Sequence, residues 1–322
     1  MHIAVALPSV SGCPLNILVT GGAGFVGTNL IPVLLRRGTH RIVVLDNESN
    51  GNLGDLAGLP VECIRGELLD QEVVERAMRE IDTVVHLAAD TRVMDSIANP
   101  RHNFESNVVG TFQLLEASRK AGVKRFVAAS TGGAILGEAA SPINEDMVAR
   151  PLSPYGASKL AAEGYMSAFG GAYGMVSTAL RFSNVFGPKS YLKGSVVAHF
   201  FKALLAGKPL VVYGDGSQIR DYVYVGDLVR GITQALESDA TGAIQLGSGR
   251  PTTLNQLIDA MKQVVGPSVP FEVRYEPRRA GEVHTTWCDI SRARRMLGYE
   301  PSTPLADGLA QTWKWFLEDA RK

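Results

Sequence analysis

The chain is short of cysteine, of net charge and of long apolar runs, and each shortage narrows what it can be. Three cysteines occur, Cys13, Cys63 and Cys288, far apart and without the spacing of metal ligands. This argues against a disulfide scaffold or a cysteine metal centre and points to a reduced, cytoplasmic protein with no metal. Lysine plus arginine number 32, and aspartate plus glutamate also 32. No excess of one sign therefore draws the chain to nucleic acid or to an anionic membrane, although local basic pockets for a small phosphate ligand stay open. No apolar stretch is long enough to span a bilayer. Val10-Ser11-Gly12-Cys13 has the form of a bacterial lipidation box. No Lys or Arg precedes it, however, and the apolar run Ile3 to Leu7 is short for a signal core, so residues 1–14 read as a flexible leader.

The rest is ordinary globular material: 322 residues, 45% hydrophobic and 20% charged, enough for about two domains. Apolar runs alternate with helical patterns. Asn16–Thr20, Arg41–Asp46, Val61–Arg65, Asp82–Leu87, Arg125–Ala129 and Val176–Phe182 read as strands. Helices are expected after Gly27, over Gln71–Met78, over Phe104–Ala121 with Asn103 as cap, and over Pro154–Tyr173. Near-continuous apolar strands between helices predict an α/β fold with a doubly wound parallel sheet, covered on both faces. After about Ser183 the pattern loosens, with helices at Val196–Leu205, Leu228–Glu237 and Leu254–Val264. The division expected is 15–183 and, mainly, 184–322 as a smaller, partly interleaved domain, with a strand near 243–247 returning to the first sheet.

Two constellations carry chemistry. Gly21-x-x-Gly24-x-x-Gly27 lies between a strand and a helix. Glycine there permits a tight turn, close approach of backbone to a pyrophosphate and close helix–strand packing, with the helix amino end facing the phosphates. Asp46 ends the next strand, placed to bond ribose hydroxyls and to repel a 2′-phosphate, so NAD is favoured over NADP. The second constellation is Tyr155-Gly-Ala-Ser-Lys159. Four apart on a helix, the two side chains share one face, and a lysine ammonium beside a phenol favours the phenolate, which can take a proton from an alcohol.

These motifs come with others: His86-Leu87-Ala88-Ala89, Asn107-Val108-Val109-Gly110-Thr111, Ser130-Thr131, Arg181-Phe-Ser-Asn184-Val-Phe-Gly-Pro188 and Gly214-Asp-Gly-Ser-Gln-Ile-Arg220-Asp221-Tyr222. Together they resemble the extended short-chain dehydrogenase/reductase family, and within it the nucleotide-sugar epimerases of the UDP-galactose 4-epimerase type, over nearly the whole chain after residue 15. The resemblance implies a Rossmann NAD-binding domain and a UDP-sugar-binding domain. Phe25 and Val26 would meet the pyrophosphate, Asp46 and Asn47 the adenosine ribose. Glu67 and Leu68 would lie at the adenine, with Glu67 where the family has Asp. Ala88 and Ala89 would lie along the nicotinamide end, and Asn107 would steady the catalytic region. The catalytic set would be Thr131, Tyr155 and Lys159, with Ser130 sharing or taking the hydroxyl role. On the substrate side, Asn184, Arg220 and Arg279 would hold phosphate or sugar oxygens, Glu282 the uridine ribose, and Val197 and the Tyr213 backbone the uracil. Thr286 would stand at the gate beside the sugar.

The reaction implied is C4 epimerisation of a UDP-hexose through a 4-keto sugar. The glucose/galactose pair is expected and, with a small gate, the N-acetylhexosamine pair too. Dehydratases place Asp-Glu after the catalytic Thr, where this chain has Gly132-Gly133, and decarboxylases are disfavoured for a similar reason. UDP-glucuronate 4-epimerases carry an Arg where this chain has Tyr191, with Lys193 as a possible substitute. A regulatory protein that keeps NAD without catalysis is the alternative from another class. The resemblance also implies a homodimer through the two long helices, which offer Phe112, Leu115, Leu160, Ala161, Ala168 and Phe169.

Overall fold

The computed structural model describes residues 15–38, 41–278 and 283–319. Seven strands form one parallel sheet in the spatial order Gly242–Leu246, Val176–Phe182, Arg125–Thr131, Thr83–His86, Asn16–Thr20, Arg41–Asp46, Val61–Arg65. The first strand sits inside the sheet. The next two extend it one way and the following three the other, so the order reverses between Asn16–Thr20 and Thr83–His86. In sheets of this kind the crevice beyond the carboxyl ends of the strands at that reversal receives ligands.

Side-chain alternation along the strands builds two cores, one on each face. Ile17, Val19, Ile42, Val44, Val85 and Val127 pack on one side. Their neighbours Leu18, Val43, Leu45, Val84, Phe126 and Ala128 pack on the other. Each such fully buried aliphatic side chain contributes about 1.5–3 kcal/mol relative to exposure. This is why these runs are apolar throughout rather than alternating.

Beyond the main sheet the chain builds smaller ones. Ile219–Tyr224 pairs with Asn184–Phe186, Pro251–Thr253 and Thr285–Thr286, while Leu210–Tyr213 pairs with Val273–Glu276. They enclose a third core around Phe186, Phe200, Phe201, Trp313 and Phe316. Among the described residues no helix is long and apolar enough to cross a membrane.

The helix expected over Phe104–Ala121 differs in a way that bears on the site. It begins earlier, at Pro100, capped by the Asn99 side chain rather than by Asn103. Its middle turn, Glu105–Val109, is a π-turn, and regular α-helix resumes over Gly110–Ala121. Asn103 lies inside, fully buried, with its amide turned to Asp90. Such turns widen a helix locally and re-aim side chains, and they are frequent at functional sites.

Candidate functional site

The turn after Asn16–Thr20 takes the form that its glycines require. Gly21 has φ +68°, and a Cβ there would press within 3 Å of the Ala88 backbone, so only glycine lets the two crossing segments meet. Helix Phe25–Arg37 follows. Gly24 supplies no side-chain cap, and the first turn has no acidic residue, so the amides of Phe25, Val26 and Gly27 keep no local anion. Asp46 is 7% exposed. Its two oxygens accept from Ala23 N at 3.0 Å and Glu48 N at 2.8 Å. Burial is the largest influence on this carboxyl and raises its pKa, against those two bonds. Asn47 donates through Nδ2 to both oxygens of Glu67, each at 3.1 Å, so the added methylene of Glu67 lets it grip a neighbour across the strand ends. Leu68 packs against Gly110. An uncapped helix start, a buried carboxylate at the next strand end and backbone approach at Ala88 together fit a dinucleotide with no 2′-phosphate.

On the other side of the strand reversal, Asn107 acts as a clamp. Its Nδ2 donates to the Asp90 carbonyl at 2.8 Å and to Ser158 Oγ at 3.1 Å, while its Oδ1 accepts from Asp90 N at 2.8 Å. The π-turn thereby ties the segment after Ala88-Ala89 to helix Pro154–Tyr173. That helix is capped by Ser153, whose hydroxyl accepts from Gly156 N.

Tyr155 lies beside Thr131 at the end of Arg125–Thr131, and the Thr131 side chain acts to lower the pKa of the phenol. Lys159 is buried and donates from Nζ to the Ala129 carbonyl at 2.9 Å. The two hydroxyls that the sequence leaves open are thus separated. Ser130 gives its hydrogen to Glu163 Oε1 at 2.6 Å, while Thr131 meets the phenol. The expected lowering of the phenol by Lys159 is not what the protein alone produces. Burial pushes Tyr155 up to about 12 with help from Asp90, and the neighbouring Thr131 side chain opposes it. Burial also lowers Lys159 to about 8, with Glu163 opposing. Desolvation outweighs the pairwise charge effect because both groups are taken from water.

His86 is a buried residue whose role sequence reasoning missed, although it was visible as a lone polar residue inside an apolar strand. Its Nδ1 lies 2.7 Å from Thr20 Oγ1 and its Nε2 lies 2.9 Å from Thr111 Oγ1. Thr111 spends its only hydroxyl hydrogen on the Asn107 carbonyl at 2.6 Å. Nε2 therefore donates, and Nδ1 accepts from Thr20. Burial first, then the Lys159 charge, lowers its pKa to about 3, so the ring is neutral.

Of the remaining residues, Asn184, Tyr213, Arg220 and Thr286 lie on the smaller sheets. Arg220 donates to the carbonyls of Val283 at 2.7 Å and His284 at 2.9 Å. Tyr213 accepts at its carbonyl from Gln218. Asn184 is exposed at the start of its strand. Val197 differs from expectation: its side chain is 1% exposed and belongs to the third core, leaving only its backbone to face a ligand. Arg279 and Glu282 lie outside the described residues, as does the segment 1–14. Thr286 pairs in register with Arg220, and its methyl stands 3.1 Å from where a Cβ on Gly133 would be. A Cβ on Gly132 would collide with the Gln245 amide. The stretch after Thr131 carries two glycines against the Gln245 amide and the Thr286 methyl, and no acidic pair.

A family model described as the NAD dependent epimerase/dehydratase family matches residues 17–247. The UDP-glucose 4-epimerase of Mycolicibacterium smegmatis is 37% identical over 308 residues, covering 93% of this chain and 97% of that protein. The crystal structure of a UDP-glucose 4-epimerase from Thermotoga maritima, with UDP-glucose, superposes with a TM-score of 0.89 at 37% identity, covering 95% of this chain and 100% of that one. A UDP-N-acetylglucosamine 4-epimerase from Methanobrevibacter ruminantium has the same TM-score at 30% identity, covering 95% and 99%. Glycine turn, buried Asp46, the Thr131–Tyr155–Lys159 group and these likenesses over nearly the full length agree, and the chain belongs to the NAD dependent epimerase/dehydratase family.

Proposed function

We propose that the protein is a UDP-hexose 4-epimerase that uses NAD and passes through a 4-keto sugar. The observation that carries this reading is the meeting of the Thr131 hydroxyl and the Tyr155 phenol, one helical turn from the buried Lys159. Gly21, Gly24, Phe25, Val26, Gly27, Asp46, Asn47 and Glu67 would hold the cofactor. The chemistry supplied by bound NAD is reversible hydride acceptance at C4 of the sugar. Tyr155, as phenolate, takes the proton of the 4-hydroxyl and returns it to the new one. Thr131 hydrogen-bonds the same oxygen. Lys159 provides the nearby positive charge that the phenolate requires. Arg220 and Asn184, with Arg279 and Glu282, bind the nucleotide end. The test is incubation of the purified protein with UDP-glucose, UDP-N-acetylglucosamine and UDP-glucuronate, without added NAD, followed by NMR at C4.

The glucose/galactose pair and the N-acetylhexosamine pair are the substrates proposed. Thr286 is a small side chain beside Gly133, its methyl 3.1 Å from where a Cβ there would stand, and a larger ring in its place would take space that a 2-acetamido group needs. Replacing Thr286 with Tyr is expected to suppress turnover of UDP-N-acetylglucosamine by about tenfold more than that of UDP-glucose, a discrimination typical of a steric contact. Equal losses, or none, would remove Thr286 from the gate. The glucuronate reading is weaker. Lys193, its required cation, donates to the Val185 carbonyl at 2.8 Å and lies 4.9 Å over the Phe25 ring, with its pKa lowered to about 8 by burial.

We also propose a homodimer through helices Gly110–Ala121 and Pro154–Tyr173. The apolar residues available differ in part from those expected. Leu115 and Phe169 are buried within the chain, whereas Phe112, Tyr165 and Tyr173 are 36%, 43% and 57% exposed. Their rings interlock, Phe112 with Tyr165 at 5.2 Å and Phe169 with Tyr173 at 5.2 Å. A rigid aromatic ridge of this kind suits an interface core. Light scattering at micromolar concentration is expected to give twice the chain mass, and a monomer would count against the proposal.

A further inference from the structure

Helix Pro154–Tyr173 presents Tyr155, Lys159 and Glu163 at intervals of four, one turn apart on one face. All three reach the end of strand Arg125–Thr131. Tyr155 lies beside Thr131, Lys159 donates to the Ala129 carbonyl, and Glu163 accepts from Ser130. Three successive strand residues are thereby gripped by three successive turns of the helix. Glu163 is itself held from the neighbouring strand. Arg181 donates from Nε to Oε1 at 2.9 Å and from Nη2 to Oε2 at 2.7 Å. Ser130 and Arg181 are register partners in adjacent strands. The Glu163 and Arg181 side chains are 11% and 6% exposed. A buried ion pair seldom stabilises a fold more than apolar residues of the same volume would, because both charges lose their water. Fold stability alone therefore does not explain a carboxylate at this place.

We infer that Glu163 is a positioning residue for the Tyr155–Lys159 pair: anchored by Arg181, its carboxylate locks the strand end to the helix in the register that brings Thr131 to the phenol, and it sets a negative charge one turn from the Lys159 ammonium. The inference rests on the reading that Tyr155 and Lys159 carry the chemistry. Other ionisable groups face the pair from every side. Asp90 comes from the segment after Thr83–His86, the neutral His86 from that strand, and Arg181 from Val176–Phe182. Of these, Glu163 is the group that favours the charged form of Lys159 against burial. Removing its charge lowers the pH at which Lys159 loses its proton, which moves the alkaline fall of turnover to lower pH.

The test uses the full-length protein with its cofactor, labelled with ¹³C at lysine Cε, with the Lys159 signal assigned by its loss in Lys159→Arg. In Glu163→Gln the Lys159 signal is expected to titrate lower by about one pH unit or more, the usual effect of removing a close opposite charge. The alkaline limb of kcat moves with it, KM changes less than about twofold, since the ground state loses no contact, and Glu163→Asp restores both. Because the Gln variant leaves Arg181 buried without its partner, Glu163→Gln with Arg181→Gln is the second variant if the first does not fold. An unchanged Lys159 titration in Glu163→Gln overturns the inference, as does a loss of thermal stability with an unmoved pH profile; in the double variant, which removes a charge of each sign, an unchanged kcat overturns it. Wild-type protein that epimerises no UDP-sugar would sink the proposed function, while the lysine titration would still decide the role of Glu163.

Discussion

Tyr155→Phe is expected to keep the fold and the bound NAD and to lower kcat by about a thousandfold or more. A positioned proton-transfer group contributes about 10²–10⁴ in rate, and the phenol is the only group proposed to move the 4-hydroxyl proton in both directions. The ring itself changes little. It stays partly buried at the start of its helix, so the change removes only the hydroxyl. The measurement pairs steady-state turnover with cofactor content after gel filtration. Turnover within tenfold of wild type, with NAD retained, would take Tyr155 out of the mechanism.

The second large effect is on acid stability, through His86. Its folded pKa is about 3, against an ordinary value of 6.5. A base depressed in this way binds protons more readily when unfolded. Its contribution is therefore fully present above about pH 6.5 and is lost as pH falls from there toward 3. At 1.36 kcal/mol per unit, the loss is about 2 kcal/mol at pH 5 and about 4 kcal/mol at pH 3. His86→Gln is expected to be less stable than wild type at pH 7.5 by denaturant unfolding, with the gap closing as pH drops. A gap that stays constant between pH 7.5 and 5 would mean that His86 does not titrate across the unfolding transition.

Much of this molecule is legible locally. The strands of the main sheet are apolar runs because both faces are covered, and their ends are marked by Gly21, Asp46 and Thr131. The glycine turn and the Tyr155–Lys159 spacing read directly, since each is a property of a few adjacent residues. What could not be read depends on partners distant in sequence. Glu163 looks like any helix residue until Arg181 and Ser130 are beside it. Nothing local marks the π-turn at Glu105–Val109, and the partner that Asn107 holds there, Asp90, lies 17 residues earlier. The core position of Val197 was likewise invisible, since periodicity cannot tell a helix face that lines a cavity from one that fills a core.

The strand Gly242–Leu246 has a consequence for how the chain is made. It pairs with residues 178–182 of the strand Val176–Phe182 and carries Gln245 against Gly132. A ribosome that has released the chain only as far as Phe186 has produced every residue of the proposed Thr131–Tyr155–Lys159 group, yet one long edge of the sheet is bare. An apolar strand edge of that kind recruits other strands readily. The intervening lobe must be synthesised before the edge can be closed. A chaperone that binds extended apolar segments would be expected to engage the nascent chain in this interval, and to let go once Leu246 has emerged.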